Sequence, residues 1–352
     1  MKLNIGSLRL LSGIRKIFVL ILIIFILCLV LLKISGPDSN HVEFLQVSRT
    51  NIVHIALTGQ LTERHPNIFD RLSNITKSIY KHCEGGQLLF HVFTDLNSTI
   101  PRSYTDLILK LNSKFTNIKG FVRMYDLETI FSRYENVLQR LIYNYWDRSS
   151  IKNPSWALPF RSPIIFLRPI YYLLDELKDV DKIISPDSDM IFMADIYQLY
   201  LEFSKMNESQ MIGMGPEFVY CDQVFKIYNS KYPNNEVVKK NHVCLNGGLQ
   251  ISDLEKLRRS KVFNYLITEE GAHKITDKYR MAMYLGDQDM QTLIKTEYPQ
   301  FFHVLDCRWN YQLNAVYNVP FRLPCEAPAF LYHGNSLQRF PEEVYRSLEN
   351  II

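Results

Sequence analysis

The sequence predicts a single Rossmann-like α/β domain, residues 51–352, behind an N-terminal apolar span. Three observations carry that reading. The run from Ile17 to Leu32 holds no polar residue apart from Cys28, which behaves as a hydrophobe. Two β-branched and aromatic runs, 51–59 and 87–95, bracket a segment whose apolar residues recur at helical spacing. Further on, a short apolar approach ends in two carboxylates, Asp187 and Asp189. Composition agrees, because 47% hydrophobic residues against 22% charged ones suffice for a large core in 352 residues. The formal charge of +4, from 40 basic and 36 acidic residues without a long basic run, argues against a nucleic-acid partner.

Residues 1–16 read as a cytosolic tail, 17–33 as a transmembrane signal-anchor and 34–50 as a polar stem with Gly36 and Pro37. At about 1.5 Å per residue the apolar core is slightly short for a hydrocarbon layer of roughly 30 Å, so Lys16 and Lys33 snorkel from its ends. Lys2, Arg9, Arg15 and Lys16 precede the span and only Lys33 follows closely. That asymmetry leaves the amino terminus cytosolic and the body lumenal, in a single-pass type II arrangement. A cleaved signal peptide is the alternative, although "KISGPDS" makes a poor cleavage site. Either way the body lies in a secretory compartment; with the anchor it is the endoplasmic reticulum or Golgi membrane, and the short span leans towards the thinner one. Asn74, Asn97 and Asn207 open N-glycosylation tripeptides. Cys83, Cys221, Cys244, Cys307 and Cys325 lie beyond the span, an odd count that allows two disulfides and one leftover thiol.

Taken in order, 51–59 reads as a strand, 67–83 as a helix and 87–95 as a second strand, the opening of a doubly wound sheet. The region 104–177 reads as mostly helical, broken by three prolines in "KNPSWALPFRSP". "VDKIISPDSDMIF" enters the acidic turn, "IYQLYLEF" is helical, and "MIGMGPE" is a strand. "CLNGGLQISDLEKLR" is a strand with glycines at its entrance, followed by a helix. Ligands of open α/β sheets bind beyond the carboxyl ends of strands, where Thr58, Asp95, Asp187 and Asp189 fall.

In an extended segment Asp187 and Asp189 would face the same side, where two unpaired anions repel and one tends to take up a proton. A solvated turn relieves that, and so does a cation held between them. Hard cations such as Mn²⁺ and Mg²⁺ take oxygen ligands and bridge carboxylates to diphosphates. His333 in "LYHGN" is the candidate third ligand, because imidazole suits Mn²⁺ and Gly334 permits close backbone approach. The alternative for His333 is a hydrogen-bonded structural histidine.

The ordered motifs "PDSD", "LNGGLQISDLEKLR", "DKYRMAMYLGDQD", "FHVLDCRWNYQ" and "LYHGN" make the chain resemble the GT8 glycosyltransferases from Asn51 to Asn335. Within that family it resembles the xylosyltransferases that extend O-linked sugars on EGF repeats. The resemblance implies a GT-A fold, a UDP-xylose donor, a xylose-terminated O-glucose glycan as acceptor, an α-1,3 linkage, and Mn²⁺ with Mg²⁺ as substitute. It implies that Asp187, Asp189 and His333 hold the metal against the diphosphate. Leu57 and Thr58 would border uracil and ribose, while Ser188, Asn246 and Gly247 face the donor. Gln288, with Asp287 nearby, would lie under the reactive face of the sugar. The family retains anomeric configuration, and an amide is a poor nucleophile, so the resemblance points to front-face transfer. Trp309, Asn310 and Asn335 would line the acceptor cleft.

Blander roles stay open, with Gln288 a helix cap, Trp309 core packing and Asn246 a turn residue. A Cys307–Cys325 disulfide would fix the acceptor-side loop, and Cys221 could pair with Cys244. Three features concern the donor side: Ser185-Pro186 before the acids, Asn246-Gly247-Gly248 in place of Asn-Ser-Gly, and Arg168 as a candidate donor-binding arginine. Other UDP-sugars, an O-glucose acceptor, or a non-catalytic lumenal glycan binder are the competing readings.

Overall fold

Strands β1 (Ile52–Thr58), β2 (Gly86–Thr94), β3 (Ile118–Asp126) and β4 (Lys182–Pro186) form the parallel half of the main sheet. Strands β6 (Ile212–Pro216), β7 (Leu245–Asp253) and β8 (Phe302–Val304) complete it, in the order β3-β2-β1-β4-β7-β6-β8. β7 runs antiparallel to both neighbours, β4 and β6. This computed structural model describes residues 51–62, 65–148, 155–217, 244–279, 285–313, 325, 328–335, 340–349 and 351. They belong to one unit, Ser48–Ile352. The expected tail, anchor and stem lie outside the described residues, as does Cys221. Among the described residues no helix is long and apolar enough to cross a membrane.

The sequence pattern explains the layers. β1 places Val53, Ile55 and Leu57 at zero exposure. The helix Ile68–His82 buries Leu72, Ile75 and Ile79 at three- and four-residue spacing, which is one helical face. β7 is buried along all nine residues, as expected of a strand covered on both faces.

The expectation of a mostly helical 104–177 needs correction. The region does contain the helices Leu127–Arg133 and Glu135–Ile142, and the helix Ile100–Lys114 runs into its start. It also contains β3, the edge strand. Ile118 and Gly120 of β3 point inward while Lys119 and Phe121 point out, Phe121 at 49% exposure. An apolar residue on the outer face blurs the two-residue alternation. Around the expected prolines, 155–161 and 168–173 are short 3₁₀ turns, which tolerate proline and run only a few residues.

A second, three-stranded sheet sits beside the end of β4: β5 (Met190–Phe192), β10 (Leu331–His333) and β9 (Tyr311–Gln312). β10 pairs antiparallel with β5, placing His333 opposite Met190. Cys307 and Cys325 form a disulfide across an 18-residue separation. Cys244 is also disulfide-bonded, and Cys83 is buried with its thiol donating to the Gly85 carbonyl at 3.4 Å.

The three tripeptide asparagines differ in setting. Asn97 and Asn207 lie on exposed turns, and Asn207 accepts N–H bonds from Ser209 and Gln210. Asn74 lies inside the helix Ile68–His82. Its partner Thr76 is fully buried and bonded to Tyr104.

Candidate active site

Pro186 ends β4, and the chain then turns through Asp187, Ser188 and Asp189 into β5. Proline has no N–H to give the sheet, so a strand end suits it. Asp187 resumes the ladder by donating its backbone N–H to the Gly248 carbonyl at 2.7 Å. The two acids therefore sit in a turn rather than on an extended strand. Asp189 is fixed through its carbonyl, which accepts the Gly334 N–H at 2.9 Å. That bond and the β5–β10 ladder deliver His333 to the acids.

One ligand atom each from Asp187, Asp189 and His333 lies within 4.8 Å of the others. His333 Nε2 is 3.6 Å from an Asp189 carboxylate oxygen, while Nδ1 meets Asn310 Oδ1 at 2.9 Å. Two carboxylates and an imidazole nitrogen form a donor set that fits a hard divalent cation with some imidazole affinity. Gly248 makes room for the ring. A Cβ there would lie 2.3 Å from His333 Cε1, far inside contact distance.

Arg168 bonds both the Asp187 carboxylate and the Gly247 carbonyl, and faces Asp287 at 3.9 Å. Burial opposes its charge, but Asp187 and Asp287 outweigh burial and hold the guanidinium firmly protonated. Burial in the crevice pushes the Asp187 carboxyl up; Arg168 pulls it back and Asp189 pushes it up again. Asp287 is pushed up to about 7, by burial first, with Arg168 opposing and Asp187 adding to the rise. Near neutral pH it is therefore a partly protonated carboxyl beside a guanidinium.

Gln288 begins the helix Asp287–Glu297, which follows Gly286 at φ 60°. Its Oε1 accepts the Gly247 N–H at 2.7 Å and its Nε2 donates to Glu217 at 3.1 Å. Asn246 donates to the same Glu217 oxygen at 2.7 Å, and its own Oδ1 accepts from Gly248 N–H and Asn310 Nδ2. Ser188 and Asp189 also line a small cavity with Arg71, Asn74, Phe340 and Tyr345.

The other expected residues are placed as follows. Thr58 Oγ1 meets the Tyr171 hydroxyl at 3.0 Å at the end of β1. The Leu57 side chain is fully buried, so only its main chain can meet a ligand. Trp309 and Asn310, expected along the acceptor cleft, are buried at 2% and 0% exposure. Trp309 packs on Phe330 with ring centroids 5.1 Å apart, and Asn310 is spent on His333 and Asn246. Neither offers an open face. Asn335 adopts φ 50°, and its buried Oδ1 has no hydrogen-bond partner among the described residues. Sequence reasoning missed Glu217 and Tyr171. Glu217 had a usable signal, being an acid just past the carboxyl end of an apolar strand, like Asp187. Tyr171 had none, since it lies in a 3₁₀ turn without alternation.

The family profile of glycosyl transferase family 8 matches residues 62–333, most of the chain, and the protein belongs to that family. Mouse xyloside xylosyltransferase 1 is 31% identical over 179 residues, which are 47% of this chain and 45% of that protein. *Xenopus laevis* glucoside xylosyltransferase 2 is 26% identical over 166 residues, 45% of this chain and 38% of that one. The chain thus spans less than half the length of these curated relatives in the match. The crystal structure of apo mouse xyloside xylosyltransferase 1 superposes over 83% of this chain and 100% of that one, with a TM-score of 0.66 at 22% identity. That likeness establishes a GT-A-like α/β fold.

Proposed function

We propose that the chain is a retaining, metal-dependent transferase that moves xylose from UDP-xylose to a xylose-terminated O-glucose glycan on EGF repeats, in α-1,3 linkage. The observation that carries this reading is the convergence of Asp187, Asp189 and His333 within 4.8 Å just past the carboxyl end of β4. These three would hold Mn²⁺, or Mg²⁺ in its place. When bound, the ion supplies Lewis acidity to the departing diphosphate.

The chain's own groups do the remaining work. The Leu57 main chain and Thr58 border the base and ribose, and Ser188 sits between the two acids where phosphate oxygens would lie. Asn246 orders the Gly247–Gly248 start of β7 by accepting the Gly248 N–H, and that segment faces the donor sugar. Gln288 presents an uncharged amide to the sugar, so front-face transfer fits better than a covalent glycosyl-enzyme. Asp287, partly protonated and facing Arg168, is a poor nucleophile for the covalent route. On the acceptor side the reading keeps Asn335, whose Oδ1 is unsatisfied, and moves Trp309 and Asn310 to a supporting position behind the site. The disulfides favour an oxidising lumen, in keeping with a signal-anchor at 17–33 and residence in the endoplasmic reticulum or Golgi.

The test is UDP release from a panel of UDP-sugars, with xylosyl-glucose and glucose acceptors, in Mn²⁺ and in excess chelator. UDP-xylose with the xylosyl-glucose acceptor should turn over best, and D189A or chelator should abolish the signal. Full activity of D189A refutes the mechanism. Preference for another UDP-sugar refutes the donor assignment, and sugar binding without turnover refutes the enzyme.

A further inference from the structure

Behind the acid pair, one carboxylate supplies the acceptor for two amides of the site. Glu217 directly follows β6 and is 7% exposed. Through a single oxygen, Oε2, it accepts Asn246 Nδ2 at 2.7 Å and Gln288 Nε2 at 3.1 Å. The carboxylate oxygen accepts, so both amides turn their NH₂ groups towards it. Two backbone donors, whose polarity is fixed, agree. Gly248 N–H meets Asn246 Oδ1 at 2.9 Å, and Gly247 N–H meets Gln288 Oε1 at 2.7 Å.

The polarity then propagates. Asn246 Oδ1 can only accept, so Asn310 must give it Nδ2, at 2.7 Å. Asn310 is left with Oδ1 towards His333 Nδ1 at 2.9 Å, and an amide oxygen can only accept, so Nδ1 carries the proton. In the neutral imidazole the lone pair then falls on Nε2, the nitrogen 3.6 Å from the Asp189 carboxylate. Asn310 is wholly buried and Asn246 nearly so, leaving no bulk water to substitute for a missing partner.

We propose that Glu217 is a positioning residue for this site. Acting through Asn246 and Asn310, it selects the His333 tautomer whose Nε2 can bind a cation. Through Gln288 it holds the amide beside Gly247, so that both halves of the site are oriented from one carboxylate. The consequence for turnover rests on the transferase reading above, whereas the tautomer is a property of the metal-free protein.

The full chain, labelled with ¹⁵N-histidine and free of metal, is compared as wild type, E217A and E217Q by two-bond ¹H–¹⁵N correlation. His333 is assigned by the signal lost in H333Q. Wild type should show a single His333 tautomer protonated at Nδ1, and E217A a mixture. E217Q should restore the single form, because one amide oxygen can still accept both donors. Mn²⁺ titration without donor should give on the order of tenfold weaker binding in E217A and recovery in E217Q. A folded E217A that keeps the single tautomer and wild-type Mn²⁺ affinity overturns the proposal, and so does an E217Q as impaired as E217A. If E217A does not fold, N310L cuts the His333 branch alone, and an unchanged tautomer there overturns the proposal equally. Absence of UDP-xylose turnover in wild type would count against the transferase reading while leaving the tautomer result standing.

Discussion

Replacing Gln288 by Glu changes one NH₂ to an oxygen and leaves the side chain's shape intact. In the wild type that nitrogen donates to Glu217 Oε2 at 3.1 Å, with Gln288 and Glu217 exposed by only 9% and 7%. Two ionised carboxylates at 3.1 Å repel by about 5 kcal/mol at an effective dielectric constant of roughly 20. Divided by about 1.4 kcal/mol per unit, this lifts the second ionisation of the pair by up to about 4 units. With an unfolded glutamic acid near 4.3, the raised step falls around pH 8. A folded pKa above the unfolded one means that the native state binds more protons between those values, so stability is lost as pH rises across that window. Below it, the shared proton stands in for the lost N–H donor, and Q288E should match wild type. Thermal unfolding of both proteins in chelator, from pH 5 to 9, reads this directly. The Q288E curve should fall away from wild type with rising pH, reaching several kcal/mol at the alkaline end. Two parallel curves would refute the polarity assigned to Glu217 and Gln288.

Three further outcomes follow from the same geometry. G248A should fold but lose Mn²⁺ binding by at least on the order of tenfold, since the new methyl occupies the ring position of His333; isothermal titration measures it. D287N should gain stability relative to wild type as pH rises from about 4 to about 7, because across that window the unfolded wild-type carboxyl loses its proton while the folded one keeps it; unfolding in chelator across that range would show no trend if the carboxyl were unperturbed. C325S should lose about 3 kcal/mol of stability, the loop-closure value for an 18-residue separation, and denaturant midpoints equal to wild type would contradict this.

Much of the sheet was legible in the sequence because its inner strands carry long apolar runs: β1, β2, β6 and β7 all fall where the pattern puts them. β3 was not, because an edge strand needs only one buried face and Phe121 sits on the other. The acids and His333 were legible as candidate ligands by residue type and by position at strand ends. What the sequence could not supply was the far side of the site. Whether Asn310 meets a sugar or a histidine depends on which way a buried amide points, and no periodicity encodes that. Trp309 illustrates the same limit, since its packing on Phe330 is a contact between two loops rather than a property of either. Glu217 carried a positional signal as an acid just past an apolar strand, but its partners Asn246 and Gln288 are visible only in the fold.

The pairing of β5 with β10 sets a schedule for assembling the site. Asp189 and His333 are neighbours in space, but 333 − 189 = 144 residues of synthesis separate them. At about 5–20 residues per second, roughly 7–30 s pass between the emergence of the acid and that of its imidazole. Throughout that interval the chain carries the acid pair without its third ligand and β5 without the strand that closes its edge. A nascent chain can therefore expose the acid pair before the candidate cation site is complete. The candidate site closes only when β10 docks on β5, which places its completion late in folding.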